Sequence, residues 1–269
     1  MIGQVASMRL LNARRSVVTS RCFSAGCSPP YVFAGLDRCR SIGRDLAAIA
    51  DGMSSYRLYR LRKEHTMLNV FGNPMSACTR KVLMTLAETK LPYEFVTVDL
   101  TKGEHKREPH LSRQPFGQVP AIDDGGFAFY ESRAICRYLN EKAGGNLVPT
   151  DIQGRALMEQ WISIETSNFS GHAMKFAFHD VFKRPQEPAV LETARQGVEK
   201  ALAVMNTRLE KSPYFAGDQF TLADIVFMPY CEFGMSTPMK QMIAQVPHVS
   251  AWWNRVRERG TWQQVLGQR

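Results

Sequence analysis

The chain has 269 residues, of which 44% are hydrophobic, and this is enough for one large or two small globular domains. It contains no run of about 18 or more apolar residues, so no membrane-spanning helix is predicted. Residues 1–66 account for +7 of the net charge of +9, and because the remainder is nearly neutral, a nucleic-acid-binding groove across the fold is not expected.

The first 66 residues differ in composition from the rest of the chain. They contain no acidic residue before Asp37 and carry several arginines among serines and alanines. This composition is typical of an organelle transit peptide. The interpretation we favour is that the functional chain starts at Met67, where a strand-like segment follows at once, and that residues 1–66 are a basic, disordered extension. We therefore expect a cytoplasmic protein, with organellar targeting as the alternative.

The segment 67–144 alternates short strands with helices. The apolar "LNVF" at 68–71 is closed by a Gly-Asn-Pro turn and predicts a strand. The β-branched and aromatic "YEFVTVDL" at 93–100 predicts a second strand. Between them a helix is predicted from Ser76, because apolar residues recur at helical spacing at Cys78, Val82, Leu83 and Leu86.

A hairpin and a further helix complete this segment. The stretches "QVPAID" and "GFAFYE" predict two strands joined by the Asp-Asp-Gly-Gly turn at 123–126. The polar stretch before them predicts a loop with at most one helical turn. "ESRAICRYLNEKA" then predicts a helix with Ala134, Ile135, Tyr138 and Leu139 on one face. The order βαβ followed by ββα predicts a thioredoxin-like α/β domain, with helices on both sides of a small mixed sheet.

Residues 151–269 predict an all-helical second domain. Asp151 is a candidate N-cap after a Gly/Pro linker, and Pro185 and Pro188 separate a long helical stretch from the next helix. "FTLADI" carries a capping box formed by Thr221 and Asp224. A last helix is predicted over "HVSAWWNRVRERGTW". The helix after the prolines places four residues on its core face, namely Val198, Leu202, Met205 and Leu209.

The cysteines and histidines predict no metal site. The six histidines form no HExxH pattern or close pair. The six cysteines show neither zinc-site spacing nor the density of a disulfide scaffold, so we expect reduced thiols in an intracellular protein.

Three motifs follow one another from Met67, namely "NPMSACTRKVL", "GEHKREPHLSRQPFGQVPAIDDG" and "FYESRAICRYL". With these motifs in register, residues 67–269 resemble the cytosolic glutathione transferases, most closely the phi class and its bacterial relatives. The resemblance implies a glutathione S-transferase that uses no cofactor, takes glutathione as co-substrate and joins it to a small apolar electrophile. It also implies a homodimer in which the first domain of one subunit contacts the helical domain of the other, with Phe116 as a candidate contact.

The resemblance also implies how glutathione is held. An extended tripeptide binds well beside a strand edge, and Val119 is expected to offer its main chain to the cysteinyl residue, beside a cis Pro120. His105 and Lys106 are expected to meet the glycyl carboxylate.

The γ-glutamyl end is expected to be held by residues of the second and third motifs. Gln118 and Ser132 would contact the ligand backbone and the γ-glutamyl carboxylate, since a helix N-terminus suits an anion. Glu131 would pair with the γ-glutamyl ammonium.

Ser76 and Cys78 are rival candidates for the chemistry. A free thiol has a pKa of about 8.5, and the Ser76 hydroxyl at a helix N-terminus can stabilise the glutathione thiolate by donating a hydrogen bond. The thiolate would then attack an electrophile or reduce an organic hydroperoxide, with Arg80 adding positive potential. Two residues span about 200° of a helix, so Cys78 is expected to face the core. The alternatives are a thiol transferase acting through Cys78 and a non-catalytic carrier of apolar ligands.

The stretch "FSGHAMKFAFHDVF" is rich in aromatic residues and methionine. Such residues pack in a helical core or line a pocket for an apolar ligand. By their position in the family, Phe169, His172 and Phe176 are the candidates for the electrophile site.

Overall fold

The computed structural model describes residues 67–268, so the extension predicted at residues 1–66 lies outside the described residues, as does Arg269. The described part is a thioredoxin-like α/β domain followed by a helical domain, and the predicted fold class is confirmed. None of the helices between residues 67 and 268 combines the length and the apolar composition that crossing a bilayer needs.

The strands of the first domain form one mixed sheet. They are β1 (Leu68–Gly72), β2 (Tyr93–Thr97), β3 (Ala121–Asp124) and β4 (Phe127–Tyr130), ordered β2-β1-β3-β4. β1 and β2 are parallel and are joined by α1 (Ala77–Thr89), because parallel neighbours need a crossover connection. β3 runs antiparallel to β1 and β4.

The predicted hairpin is confirmed, and the second strand is shorter than predicted. Gly125 and Gly126 form the two-residue β3–β4 turn with φ values of 63° and 91°, which glycine adopts without strain. β2 ends at Thr97 because Asp99 starts a turn, in which its carboxylate accepts hydrogen bonds from the main-chain N–H groups of Thr101 and Lys102.

The sheet carries helices on both faces. α1 packs against α3 (Ser132–Ala143) on one face. The polar stretch on the other face forms a 3₁₀ turn (Glu104–Lys106) and the short α2 (His110–Arg113), which is one helical turn more than predicted. The core-facing stripe of α3 is Ser132, Ile135, Cys136 and Leu139, whereas the predicted Ala134 is exposed. In α3 it is Cys136, rather than Ala134, that completes the apolar stripe one turn after Ser132.

The second domain is helical throughout. Its helices are α4 (Ile152–Ile164), α5 (Ser170–Phe176), α6 (Pro188–Leu209), α7 (Leu222–Gly234), α8 (Met239–Ala244), α9 (Pro247–Arg257) and α10 (Gly260–Gly267), with π-helical turns at Glu165–Phe169 and Ala177–Val181. Asp151 caps α4 by accepting the Gly154 N–H at 2.7 Å, and the Thr221–Asp224 capping box starts α7, as predicted.

The last predicted helix is two helices instead of one. α9 and α10 are separated at Glu258 and Arg259, where the backbone of Arg259 is extended. Its guanidinium pairs with Glu88 of α1 at 2.7 Å and lies 4.0 Å from the Phe220 ring centroid. The break coincides with Gly260, since glycine weakens a continuous helix, and Arg259 is held there by contacts to distant elements.

Candidate active site

Strand pairing brings the motif residues to one edge of the sheet. The end of β1 lies beside the start of β3, since Phe71 pairs with Ala121, and the end of β4 joins them through the pair Ala121–Tyr130. The loop that leads to Ser76, the Gln118–Pro120 segment and the start of α3 are therefore neighbours.

Ser76 is the N-cap of α1. Its extended backbone (φ −85°, ψ 126°) precedes the helix, and its Oγ accepts a hydrogen bond from the Thr79 N–H at 3.3 Å. The side chain is half-buried. Within residues 67–268, no group accepts a hydrogen bond from the Ser76 hydroxyl, so its hydrogen is available to a ligand at the positive end of the α1 dipole.

The loop before Ser76 is braced by Asn73, whose role the sequence analysis missed. The Asn73 carbonyl accepts the Ser76 N–H at 2.9 Å, and its side-chain amide donates to the Val98 carbonyl at 3.1 Å. Its side-chain oxygen accepts the Met75 N–H at 3.0 Å. The Asn-Pro sequence was the available signal, because asparagine before a turn bonds to its own backbone two residues on.

Val119 presents an unpaired main chain at the same edge of the sheet. The Val119–Pro120 peptide bond is cis, as expected. No residue between 67 and 268 hydrogen-bonds to the Val119 N–H or carbonyl, which suits the addition of an extended peptide. Gln118 is fixed by its neighbours, since its N–H donates to the Gln114 side chain at 3.0 Å and its carbonyl accepts from His110 Nε2 at 2.7 Å.

His105 and Lys106 lie next to the same segment. The Lys106 ammonium donates to the Phe116 carbonyl at 2.9 Å, and a Cβ at Gly117 would lie 2.7 Å from the His105 carbonyl. Gly117 therefore permits the close approach of the two chain segments. Burial, followed by the nearby charges of Lys106 and His110, lowers the pKa of His105 from its ordinary value of 6.5.

Glu131 and Ser132 begin α3 at this edge. Glu131 is exposed and holds a φ of 77°, a conformation that costs a non-glycine residue free energy and is common at ligand sites. Ser132 is buried and is the first residue of α3, where main-chain N–H groups lack helical partners. Nothing in a glutamate's local sequence signals a positive φ.

Cys78 does not lie in the core with Val82 and Leu86 as predicted. Both of those residues are fully buried, whereas Cys78 is half-buried and close to the Tyr230 hydroxyl of α7. The reason is that α1 packs against α7 of the helical domain on the side where Cys78 lies. Burial, with the nearby Cys78 and Glu165, raises the pKa of Tyr230 well above its ordinary value.

A buried ion cluster joins the two domains beside Cys78. Lys81 of α1 and Glu165 have no solvent exposure and lie 3.3 Å apart, and Lys81 Nζ also donates to the Tyr230 hydroxyl at 2.9 Å. Arg133 of α3 binds the same carboxylate at 2.6 Å. The sequence analysis missed this cluster, because a lysine on an amphipathic helix normally predicts a solvated face.

The three electrophile-site candidates do not lie together at this edge. Phe169 is fully buried between Phe227 and Tyr230, and Phe176 is also buried. His172 packs on Gly197 of α6, where a Cβ would lie 2.4 Å from the imidazole ring. The expectation that these residues form the pocket wall is therefore corrected for the two phenylalanines, whose rings fill the core of the helical domain.

Aromatic residues further along the chain are connected to the loop before Ser76. The Phe182 ring is 5.3 Å from Phe233, and the Arg80 guanidinium lies 4.7 Å from that same ring. Arg80 in turn donates to the Pro74 carbonyl at 2.8 Å. This chain of contacts connects the half-buried pair Phe178 and Phe182, whose centroids are 6.1 Å apart, to the loop before Ser76.

Comparisons with known proteins agree with this architecture. Residues 66–141 match the family model for the glutathione S-transferase N-terminal domain, and residues 169–260 match that for the C-terminal domain. Glutathione S-transferase F6 of Arabidopsis thaliana is 38% identical over 206 residues, covering 74% of this chain and 99% of that protein. Glutathione S-transferase APIC of Nicotiana tabacum is 37% identical over 203 residues, covering 72% and 95%.

Solved structures of plant proteins match the same part of the chain. Glutathione transferase F2 of Populus trichocarpa superposes with a TM-score of 0.72 at 34% identity, covering 75% of this chain and 98% of that one. Maize glutathione S-transferase I, solved with an atrazine glutathione conjugate, gives a TM-score of 0.70 at 31% identity, covering 75% and 97%.

The fold, the site and these matches define a glutathione-dependent transferase. The chain belongs to the glutathione S-transferase family, and it is most like the phi class of plant enzymes.

Proposed function

We propose that Ser76 activates the glutathione thiol by donating a hydrogen bond to the thiolate. This proposal is supported by one observation: the Ser76 hydroxyl oxygen accepts a hydrogen bond from the Thr79 N–H, while the hydroxyl hydrogen is not bonded to any residue of 67–268. A hydrogen bond to a charged group contributes about 1.5–3 kcal/mol, and at 1.36 kcal/mol per unit this lowers a thiol pKa by about 1–2 units. The fraction of thiolate at neutral pH then rises correspondingly.

The reaction we propose is a displacement at carbon. The glutathione S–H proton leaves to solvent, and the thiolate, held by Ser76, attacks an electrophilic carbon. A C–S bond forms while the bond to the leaving group breaks, and the leaving group departs with the electron pair. With an organic hydroperoxide, the thiolate would attack oxygen instead, which breaks the O–O bond and leaves a sulfenic acid for a second glutathione to reduce.

The placement of glutathione follows from the edge where the motif residues meet. The unpaired Val119 main chain suits the cysteinyl residue, and His105 with Lys106 suits the glycyl carboxylate. Glu131 and Ser132 at the start of α3 suit the γ-glutamyl ammonium and carboxylate. Gln118, with Ser132, is proposed to contact the ligand backbone and the γ-glutamyl carboxylate.

The electrophile is proposed to bind against the helical domain. Phe178 and Phe182 replace Phe169 and Phe176 as its aromatic wall, since their contacts reach Arg80 and the loop before Ser76. Met75, which is 40% exposed, adds an adaptable side chain beside Arg80. An apolar, adaptable wall favours small apolar electrophiles over one specific substrate.

A homodimer is proposed, with Phe116 as an apolar contact. Phe116 is 67% exposed, so its ring is available for contact with a second subunit. A groove of about 310 Å³ between the α4–α5 segment and α6, lined by Ile164, His172 and Val204 among others, is a candidate socket on the second subunit. A two-fold axis would use both contacts twice.

The test is turnover of chlorodinitrobenzene with glutathione, run beside cumene hydroperoxide and hydroxyethyl disulfide. We expect saturable conjugation by the full chain and by a chain that starts at Met67. Disulfide exchange that exceeds conjugation would instead support a thiol transferase. Binding to glutathione-agarose without turnover of any of the three would support a carrier.

A further inference from the structure

A second cavity is lined by none of the residues assigned to glutathione. It has a volume of about 470 Å³, within the range of small-molecule sites. Its floor includes Phe71 and Val96, which pair across β1 and β2 and lie on the opposite sheet face from the core residue Val70. Its wall is formed by residues 104, 107–110 and 113, and we call it the outer-face cavity.

Two guanidinium groups border the outer-face cavity without a carboxylate partner. Arg113 lies over the Phe71 ring at 4.1 Å, and Arg107 is exposed. Across residues 67–268, neither of them forms an ion pair. Both arginines are therefore able to bind a ligand carboxylate.

The two acidic residues at the same cavity are held by local donors. Glu104 accepts the main-chain N–H of Asp99 at 2.7 Å. Glu108 accepts two hydrogen bonds from Ser112, one from the main-chain N–H at 3.2 Å and one from the side-chain hydroxyl at 2.5 Å. Both carboxylates are held by these hydrogen bonds, and among the described residues neither forms an ion pair with Arg107 or Arg113.

His110 provides a separate sign that a polar ligand atom belongs here. Its ring lines the cavity and is 4% exposed. Because the Gln118 carbonyl can only accept, the contact of 2.7 Å places the hydrogen on Nε2. Nδ1 is buried and has no partner among the described residues, and such atoms in native proteins are nearly always bonded. A ligand hydroxyl or N–H would satisfy it.

We propose that the outer-face cavity binds a flat aromatic carboxylate that carries a hydroxyl or N–H donor. The ring would lie on Phe71 and Val96, the carboxylate would pair with Arg107 and Arg113, and the donor would meet His110. Guanidinium stacked on an aromatic ring is preorganised for such a ligand. This site is separate from Ser76 and from the proposed electrophile wall, so it does not depend on the proposed catalytic role of Ser76.

The test uses hydroxynaphthoate as the probe and the full chain as the protein. S-hexylglutathione at saturating concentration first blocks the glutathione site and the electrophile site, and calorimetry then measures binding of the probe. We expect one molecule per chain. The neutral hydroxynaphthamide should bind about tenfold more weakly, because it lacks the charge that strengthens a guanidinium contact.

Three variants separate the outer-face cavity from other sites. Arg113→Gln should weaken hydroxynaphthoate binding about tenfold and leave hydroxynaphthamide binding unchanged. Val96→Phe should abolish the binding of both probes by filling the cavity. Arg257→Gln, an exposed arginine on α9, is the matched control and should bind as the wild type does.

Thermal unfolding checks that each variant is folded, and the exposed Arg107→Gln replaces Arg113→Gln if the latter unfolds. The proposal is overturned if hydroxynaphthoate does not bind beside S-hexylglutathione. It is equally overturned if binding survives Val96→Phe, or if the arginine variants bind both probes as the wild type does.

Discussion

The Ser76 hydroxyl oxygen accepts a hydrogen bond from the main-chain N–H of Thr79 at 3.3 Å, which caps α1 and leaves the hydroxyl hydrogen as a donor. Ser76→Ala removes that donor. We expect the midpoint of the pH–rate profile for conjugation to rise by about 1–2 units, and the rate at pH 7 to fall by about 10–100-fold. Steady-state kinetics with chlorodinitrobenzene between pH 6 and pH 9 would measure both.

Two further Ser76 variants separate activation from helix capping. Alanine at an N-cap costs about 0.5–2 kcal/mol of stability, so lost activity alone does not prove activation. Ser76→Thr keeps both the hydroxyl and the cap and should retain activity. Ser76→Asp keeps a cap but has no hydroxyl hydrogen when ionised, and it should be stable and inactive. An active Ser76→Asp enzyme would show that the residue only caps α1.

Cys78→Ala should keep most of the conjugating activity. The thiol is half-buried beside Tyr230, and glutathione brings its own sulfur to the reaction. Conjugation and exchange with hydroxyethyl disulfide should be measured on the same preparations. Cys136→Ala is the control, because burial raises the pKa of that thiol to about 11 and keeps it protonated. Loss of both reactions in Cys78→Ala alone would make the protein a thiol–disulfide enzyme.

Glu165→Gln should be more destabilising than Lys81→Met. Removing the carboxylate leaves Lys81 buried without a counter-charge and also releases Arg133, whereas Lys81→Met leaves Glu165 paired with Arg133. Breaking a buried pair from one side costs about 3–5 kcal/mol. Urea unfolding of both variants would measure the difference. Arg195→Gln, from exposed pairs on α6, is the control and should show no measurable change.

Asp224 should make part of the stability depend on pH. Burial raises its pKa from 3.8 to about 6, against the hydrogen bonds from Thr221, Trp252 and Phe215. Because the folded state holds this proton more tightly than the unfolded state, the contribution is complete below pH 3.8 and is lost as the pH rises through about 6. The shift of about 2 units corresponds to about 3 kcal/mol.

Urea unfolding between pH 4 and pH 7 would test the Asp224 prediction by comparison with Asp224→Asn, which does not titrate. The stability of the wild type relative to the variant should fall by about 3 kcal/mol over this range. A difference that stays constant with pH, or increases, would contradict a raised pKa.

Phe116→Ala should weaken the proposed dimer. Truncating an apolar anchor at the centre of an interface typically costs about 2 kcal/mol or more, and a two-fold axis doubles the loss. Light scattering coupled to size-exclusion chromatography would show a larger share of monomer at low protein concentration. Phe127→Ala, from another exposed phenylalanine of the same domain, is the control. A wild-type chain that is monomeric at all concentrations would contradict the dimer itself.

The elements of both domains whose signals are local could be predicted closely. The Gly125–Gly126 turn fixes the hairpin, Ser76 marks the start of α1, and the capping box of Thr221 and Asp224 does the same for α7. Each of these depends on residues within a few positions of one another, where backbone preferences decide the conformation.

Residues whose role depends on a distant partner were predicted less well. Phe169 belongs to an aromatic stretch that is compatible with a pocket wall, but its ring packs against Phe227 and Tyr230 of α7. Lys81 lies on an amphipathic helix, where a lysine is expected to face solvent, but its side chain is buried in an ion pair with Glu165. Arg259 lies where a continuous helical pattern is interrupted, and its pairing with the distant Glu88 could not be read from that pattern.

The sequence by itself determined the thioredoxin-like order of elements, the motif residues expected to hold glutathione and the position of Ser76 at a helix start. The tertiary structure alone decided which side of α1 meets the helical domain, and therefore that Cys78 lies beside Tyr230 instead of in the core. The physical reason is that turns and caps are set by short-range hydrogen bonds, whereas burial depends on which elements pack together.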